Sequence, residues 1–234
     1  MIPHVQIRRI MPVMDEFKEA RESIRNAPFE KKVQYFRDYY LMPLIVTLFF
    51  VGLGGAFIYN YFSQKETALY IAMVNFNSIR DSVKEMTQPF AEEHINTRRQ
   101  QIYLDYSSFI SADENEVNFL KYGYEDEQRL FSMVMTGEMD LFISGEDVVD
   151  RYCQQEWFEP LDQVLSSEDF SRYSEEKRIL YRNEKPVAVR VDDAALLKEY
   201  FFYNGRQGET VYAAFPTNSI RRPLAAEFLA YLLK

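Results

Sequence analysis

Leu41-Met42-Pro43-Leu44-Ile45-Val46-Thr47-Leu48-Phe49-Phe50-Val51 opens a run that reaches Gln64 without one charged side chain. A helix needs roughly 20 predominantly apolar residues to cross the ~30 Å hydrocarbon core of a bilayer, and no other stretch of the 234 residues approaches that length. The run predicts a transmembrane helix over residues 41–62. It divides the chain into a partly helical tail (1–40), the anchor, and a domain over residues 65–234. Tyr39, Tyr40, Tyr59 and Tyr61 flank the run, where amphipathic rings favour the membrane interface. Gly52 and Ala56 have the small-xxx-small spacing of close helix approach. Bulky residues, Phe57-Ile58-Tyr59-Asn60-Tyr61-Phe62, follow Ala56. A removable secretory signal has instead a short charged start and a small-residue cleavage site, so the run is read as an uncleaved signal anchor.

Lys and Arg near the ends of a span set its orientation. Arg21, Arg25, Lys31, Lys32 and Arg37 precede it, and Lys65, Arg80 and Lys84 follow. This bias predicts a cytoplasmic N-terminus and an extracytoplasmic C-terminal domain, in a single-pass cell-membrane protein. Residues 1–64 hold eight basic and six acidic side chains (+2), and residues 65–234 hold nineteen and thirty (−11), matching the overall −9. Nucleic-acid binding needs a basic stripe, so an acidic domain argues against that partner class. Cys153 is the sole cysteine, which rules out an intrachain disulfide. The chain has no Asn-x-Ser/Thr sequon: Asn77-Ser78-Ile79 and Asn218-Ser219-Ile220 fail the spacing. A bacterial surface without disulfide dependence is the expected setting.

In the tail, Asp15–Arg25 reads as a short charged helix. Asn26 serves as a cap and Pro28 stands near the next first turn. Glu30–Tyr40 places Val33, Phe36 and Tyr40 on one face, either as an interfacial segment or as an extension of the anchor. Beyond the anchor, Thr67–Val74 is a continuous apolar run of strand length, as in a strand covered by helices on both faces. Asn75–Ser78 reads as a turn with cap residues. Ile79, Val83, Met86 and Phe90 follow at helical spacing. Gln101–Tyr106 is a second strand, Asp126–Thr136 a helix stopped by Gly137, and Met139–Ser144 a third strand leading to a helix over Asp147–Cys153. This alternation predicts an α/β domain with a mostly parallel sheet. Arg178–Tyr181 and Pro186–Val191 form a hairpin. Asp192-Asp193 open a helix through Tyr200, Thr210–Phe215 is a strand, and Arg222–Leu233 is the last helix.

Two segments carry a resemblance. Gly137–Ser144, followed by Trp157-Phe158-Glu159-Pro160-Leu161-Asp162-Gln163-Val164-Leu165, resembles a step in the extracellular solute-binding proteins of bacterial ABC importers. Tyr212–Ser219 with Ala225–Leu233 is similar to their closing strand and helix. Pro28-Phe29, Lys32, Tyr35-Phe36 and Tyr39-Tyr40 resemble the segment before the anchor in small membrane proteins of Clostridia-type Gram-positive bacteria. The resemblance spans about residues 67–234 and implies a type 2 periplasmic-binding-protein-like domain shortened to one lobe, on a membrane anchor.

In parallel sheets ligands sit at the carboxyl ends of the strands. Those ends carry Asn75, Asn77 and Ser78, then Ser107 and Ser108, then Ser144 and Gly145. Helices starting after the first and third strands would offer free backbone N–H groups to an anion. The alternative is that Asn77, Ser78 and Ser144 only cap helices. No Gly-x-Ser-x-Gly elbow, Walker loop, Gly-x-Gly-x-x-Gly or His-Glu-x-x-His is present. Glu92-Glu93-His94 reads as a solvated helix face. Asp113-Glu114, Glu116 and Glu125-Asp126-Glu127 lack the spacing of a calcium loop. No catalytic residue, metal site or cofactor is therefore expected. Three functions stay open: a non-catalytic surface protein binding a small polar solute or a membrane partner; a structural or assembly factor of a membrane complex with the outer domain as spacer; and a cell-wall hydrolase accessory protein.

Overall fold

The computed structural model describes Arg25 and residues 27–110, 123–206 and 208–234. The helix expected over Asp15–Arg25 (all but its last residue), the Asn26 cap and the acidic residues Asp113, Glu114 and Glu116 lie outside the described residues. The chain forms two compact units, Met1–Gln64 and Lys65–Lys234.

In the first unit, α1 (Phe29–Tyr39) is followed after Tyr40 by α2 (Leu41–Ser63). The hydrogen-bond ladder barely pauses, because Tyr40 keeps helical dihedrals, donates its N–H to Phe36 O and accepts from Leu44 N. Pro43 falls within the first turn of α2, where its missing N–H costs little. Leu41–Tyr61 is long and apolar enough to cross a membrane, and none of that stretch is buried within the protein. Tyr35 packs against Tyr39 and Tyr40, an aromatic collar just before the apolar helix.

The second unit is built on a six-stranded sheet of order β3-β1-β4-β8-β6-β5. Its strands are β1 (Glu66–Met73), β3 (Gln100–Asp105), β4 (Leu141–Gly145), β5 (Ile179–Arg182), β6 (Lys185–Arg190) and β8 (Val211–Ala214). The whole length of β1 beyond Thr67 is buried. Its side chains alternate: Leu69, Ile71 and Met73 join one core, and Tyr70 and Ala72, continued by Val74, join another. That is why its sequence is an unbroken apolar run. On the first face lie α3 (Lys84–His94), α6 (Leu161–Val164), α7 (Ser167–Glu175), α8 (Ala195–Tyr200) and α9 (Arg222–Leu232). On the second lie α4 (Tyr124–Thr136) and α5 (Glu146–Cys153). Each large apolar side chain removed from water in these two layers contributes roughly 1.5–3 kcal/mol.

The mostly parallel sheet holds for half of this architecture. β1 runs parallel to β3 and β4, whereas β8, β6 and β5 join through antiparallel ladders. The hairpin turn shows why: Asn183 and Glu184 both take positive φ, 47° and 65°, and a two-residue turn of that kind returns the chain antiparallel.

Four other readings are corrected. The turn at Asn75 leads into a short strand, β2 (Phe76–Ser78), paired antiparallel with β7 (Phe201–Tyr203). Helix α3 begins only at Lys84, and Ile79 is exposed. Asp193 does not cap α8, whose N-cap is Ala194 without a side-chain bond; it pairs with Arg178 at 2.6 Å. The stripe of α4 reduces to Leu130 and Val134, with Phe131 and Met135 exposed.

Candidate functional site

The carboxyl ends of β1, β3 and β4 lie on one rim of the sheet, and the chain bonds most of their polar groups to itself. Asn75 takes φ 66°, a left-handed conformation that Asn tolerates better than most residues. Its side chain donates from Nδ2 to Ile110 O at 2.7 Å and accepts Ile110 N–H at 2.8 Å. Its backbone receives Asn204 N–H and donates to Ser108 O. Ser144, fully buried, donates its hydroxyl to Val74 O at 3.2 Å. Gly145 has an ordinary φ of −67°, but a Cβ there would stand 2.1 Å from the Tyr203 hydroxyl and 2.3 Å from Glu209 Oε1. Only glycine lets those two side chains approach.

Those contacts occupy the place where an anion was expected. Glu209 Oε1 accepts the Asp147 N–H at 2.7 Å, at the first turn of α5. Glu209 Oε2 accepts the Tyr203 hydroxyl at 3.0 Å and Arg206 N–H at 3.2 Å. Burial and the neighbouring Glu209 carboxylate push the Tyr203 phenol up from its usual range, so it stays a donor. The positive end of the helix is thus neutralised by the protein's own carboxylate. After β1 there is no helix N-terminus at all, because β2 intervenes. Removing the seat by Glu209→Ala is expected to cost about 1–2 kcal/mol, the range of a lost cap or of a hydrogen bond to a charged group. Thermal unfolding against Glu209→Gln, which keeps the shape, measures it.

Ser107 and Ser108 belong to a second cluster. Asp105 Oδ1 accepts Ser107 N–H at 3.0 Å and its hydroxyl at 2.6 Å. Asp105 Oδ2 accepts the Tyr70 hydroxyl and Arg129 Nη1. Arg129 Nη2 donates to Ser107 Oγ at 3.0 Å and Ser108 Oγ at 2.6 Å. Burial alone would raise the Asp105 carboxyl; the bonds from Ser107, Tyr70 and Arg129 outweigh it and hold the group below its ordinary value. Asn77 and Ser78 lie apart, in β2, with Asn77 exposed and Ser78 donating to Arg80 O at 2.5 Å. Of the seven expected site residues, the structure gathers Asn75, Ser144 and Gly145 around the Tyr203 hydroxyl and places Ser107 and Ser108 on Arg129. It does not bring Asn77 and Ser78 to either. Glu209, Tyr203 and Arg129 went unread because their partners are far away in sequence; no local motif marks them.

Other chemistry is muted. Burial and the nearby Asp150 push the Cys153 thiol up to about 12, which leaves it protonated and unreactive at neutral pH. Glu92, Glu93 and His94 are all exposed on α3, the solvated face the sequence predicts, and the His94 ring there stacks on Phe90 at 4.1 Å and faces Glu227 at 3.1 Å. Among the described residues no cluster of three His, Cys, Asp or Glu is arranged to hold a metal ion.

Several surface grooves of similar size are open, one beside Asp150 and Arg182, one beside Tyr124 and Trp157, and one along the sheet edge. A groove of about 500 Å³ runs beside β3, lined by Val83, Lys84, Thr87, the strand residues Gln101 to Asp105 and the following Tyr106 and Ser107. β3 is the edge of the sheet and, among the described residues, pairs only with β1. Tyr103 and Tyr106 flank it at 47% and 37% exposure. Natural edges are commonly guarded by Lys, Pro, bulges or short length. β3 carries none of these itself: it spans six residues without Lys or Pro, and the irregularity of its ladder falls on β1, between Thr67 and Leu69. The opposite edge, β5, is four residues long and irregular between Leu180 and Tyr181. No known protein family, curated protein or solved structure matches this chain, so its function has to be argued from these two ends of its chemistry, a closed strand-end rim and an open edge.

Proposed function

We propose that this is a non-catalytic, single-pass membrane protein whose α/β domain holds a membrane partner along the outer edge of β3. The observation that carries the reading is the groove beside that edge strand. An extended segment added to a sheet edge gains main-chain hydrogen bonds, and flanking side chains supply selectivity; here Tyr103, Tyr106 and Lys84 would do so. The solute-binding-lobe resemblance enters as part of the same proposal: a lobe whose ligand end is closed by its own Glu209. The excess of Lys and Arg before the anchor supports a cytoplasmic N-terminus and an extracytoplasmic domain.

The test places a photo-crosslinking residue at Tyr103, and in a second protein at Tyr181 on the opposite edge, with the full chain in its native membrane. The expected result is one discrete membrane-protein adduct from position 103 and none from 181. A Gln101→Lys change, which puts a charge on the edge, is expected to lower that adduct several-fold. No adduct at 103, together with a thermal shift of several degrees on adding an amino acid, sugar or peptide, would return the protein to the solute-binding class. Ligand at 100 times its dissociation constant stabilises by ~2.7 kcal/mol.

A further inference from the structure

The arginines of residues 65–234 divide sharply. Ten of them lie within ion-pair distance of a carboxylate. Arg98 and Arg99 have no such partner among the described residues, and both are exposed. They occupy the turn Asn96–Arg99, which leads into β3. Its backbone is tied to the start of β1: Arg99 O accepts Glu66 N–H at 2.8 Å, and Lys65 Nζ donates to Thr97 O at 2.5 Å. Three cations therefore cluster at the end of the sheet opposite the Glu209 seat.

The same end carries Ile220, which at 84% exposure is the most exposed of the large apolar side chains described. Its position is held by the next residue. Arg221 reaches back to donate to Thr67 O at 2.7 Å and Glu138 O at 2.8 Å, while its charge is matched by the buried Asp140. One end of the sheet thus carries an exposed isoleucine together with two exposed guanidinium groups that have no carboxylate partner among the described residues. It suits the boundary of a bilayer, where an apolar tip enters the acyl region and cations meet phosphates. Only Gln64 and Lys65 lie between the end of α2 and Glu66. Lys65 follows the end of α2 by two residues, so with α2 in a bilayer the chain between them spans at most ~7 Å, within about one Debye length at physiological salt.

We propose that Lys65, Arg98, Arg99 and Ile220 form a lipid-facing rim that seats the α/β domain on anionic phospholipid headgroups. The guanidinium groups take the phosphates, which they match in a bidentate manner, and Ile220 enters the acyl boundary. Glu66 and Glu138 are exposed carboxylates at the same end, so the net charge there is small. The rim sets the orientation of the domain, while the apolar helix holds the protein in the membrane. The proposal rests on α2 crossing a bilayer.

The experiment uses the full chain, with Cys153→Ser and an environment-sensitive fluorophore on Asn218→Cys, reconstituted into phosphatidylcholine vesicles with and without phosphatidylglycerol. With phosphatidylglycerol, the probe is expected to shift blue and to be quenched by shallow doxyl lipids. The quenching is lost in 1 M KCl, where the Debye length is ~3 Å, and in Arg98→Glu/Arg99→Glu. Neutralising that pair alone shifts the seated population roughly 25-fold, at roughly fivefold per cation. Ile220→Asp weakens the quenching at low salt, and unchanged thermal unfolding shows that the variants still fold. Equal quenching in both vesicle types, or its survival in the charge-reversed variant, overturns the proposal. Flotation of the same vesicles after an alkaline carbonate wash separates the two failures. A protein that floats without quenching lacks the rim contact. A protein that does not float has no membrane anchor, and both readings fall.

Discussion

Asp140→Ala is expected to lower the stability of the α/β domain by about 3–5 kcal/mol, the usual cost of removing one partner from a buried charged pair. Asp140 is completely buried. It accepts Tyr70 N–H at 2.8 Å, the Ser219 hydroxyl at 2.7 Å and Arg221 Nε at 3.0 Å. Those three bonds join β1, the entry to β4 and the loop before α9. Without the carboxylate, a buried N–H is orphaned and Arg221 keeps its charge with no counter-ion. A domain of this size shifts by ~2–4 °C per kcal/mol, so thermal unfolding of the full chain in detergent should fall by about 10 °C. Asp140→Asn keeps the shape and two acceptor lone pairs and should lose clearly less. A loss below ~1 kcal/mol for Asp140→Ala would mean that the bonds from Arg221 to Thr67 and Glu138 hold the loop by themselves.

Arg129→Ala is expected to cost about 3 kcal/mol and to change how stability depends on pH. The Asp105 carboxylate it pairs with is buried and also holds Ser107 and Tyr70. Its pKa lies below the ordinary value of 3.8 in the folded protein. A group depressed on folding contributes stability that is fully present above its unfolded value and is lost as pH falls through its folded value. The wild-type protein should therefore lose this contribution only below about pH 4. In Arg129→Ala the burial that opposes ionisation is less compensated, so the folded value moves up toward the unfolded one and the part of the stability that is lost in acid shrinks. In Asp105→Asn that part of the acid dependence should disappear. Urea unfolding between pH 3 and 7 distinguishes the three proteins, and coincident acid profiles for wild type and Arg129→Ala would rule out the pairing as an energetic contributor.

The elements that were legible in the sequence are those whose cause is local. β1 reads as a strand buried on both faces because every residue from Ala68 to Met73 is apolar, and it is buried on both. α4 ends where Gly137 supplies a φ of 72°, a conformation glycine adopts without strain. The β5–β6 hairpin is marked by Asn183-Glu184, and α9 by its apolar spacing over Leu224, Phe228 and Leu232. β2 and β7 were not legible. They are three residues each, and their strand character comes from pairing Phe76 with Tyr203 across a long sequence separation. α6 and α7 were missed as well, being short elements pinned by Leu161 and Tyr173 in the first core.

The candidate site divides in the same way. A sheet placing Asn75, Ser107, Ser108, Ser144 and Gly145 along one rim follows from strand positions alone, because the carboxyl ends of parallel strands must lie together. Whether that rim is open does not follow, since it depends on Glu209, Tyr203 and Arg129, which arrive from elsewhere in the chain. By itself the sequence determined an apolar helix of membrane-spanning length, a layered α/β domain after it, and the uneven charge between the two, since these are properties of neighbouring residues and of composition. Only the tertiary structure decided that the anion seat at α5 is filled by Glu209, that half of the sheet is antiparallel, and that β3 stands at the edge of the sheet among the described residues. Each of these is a pairing of distant segments, and its energy exists only once the chain has closed the loop between them.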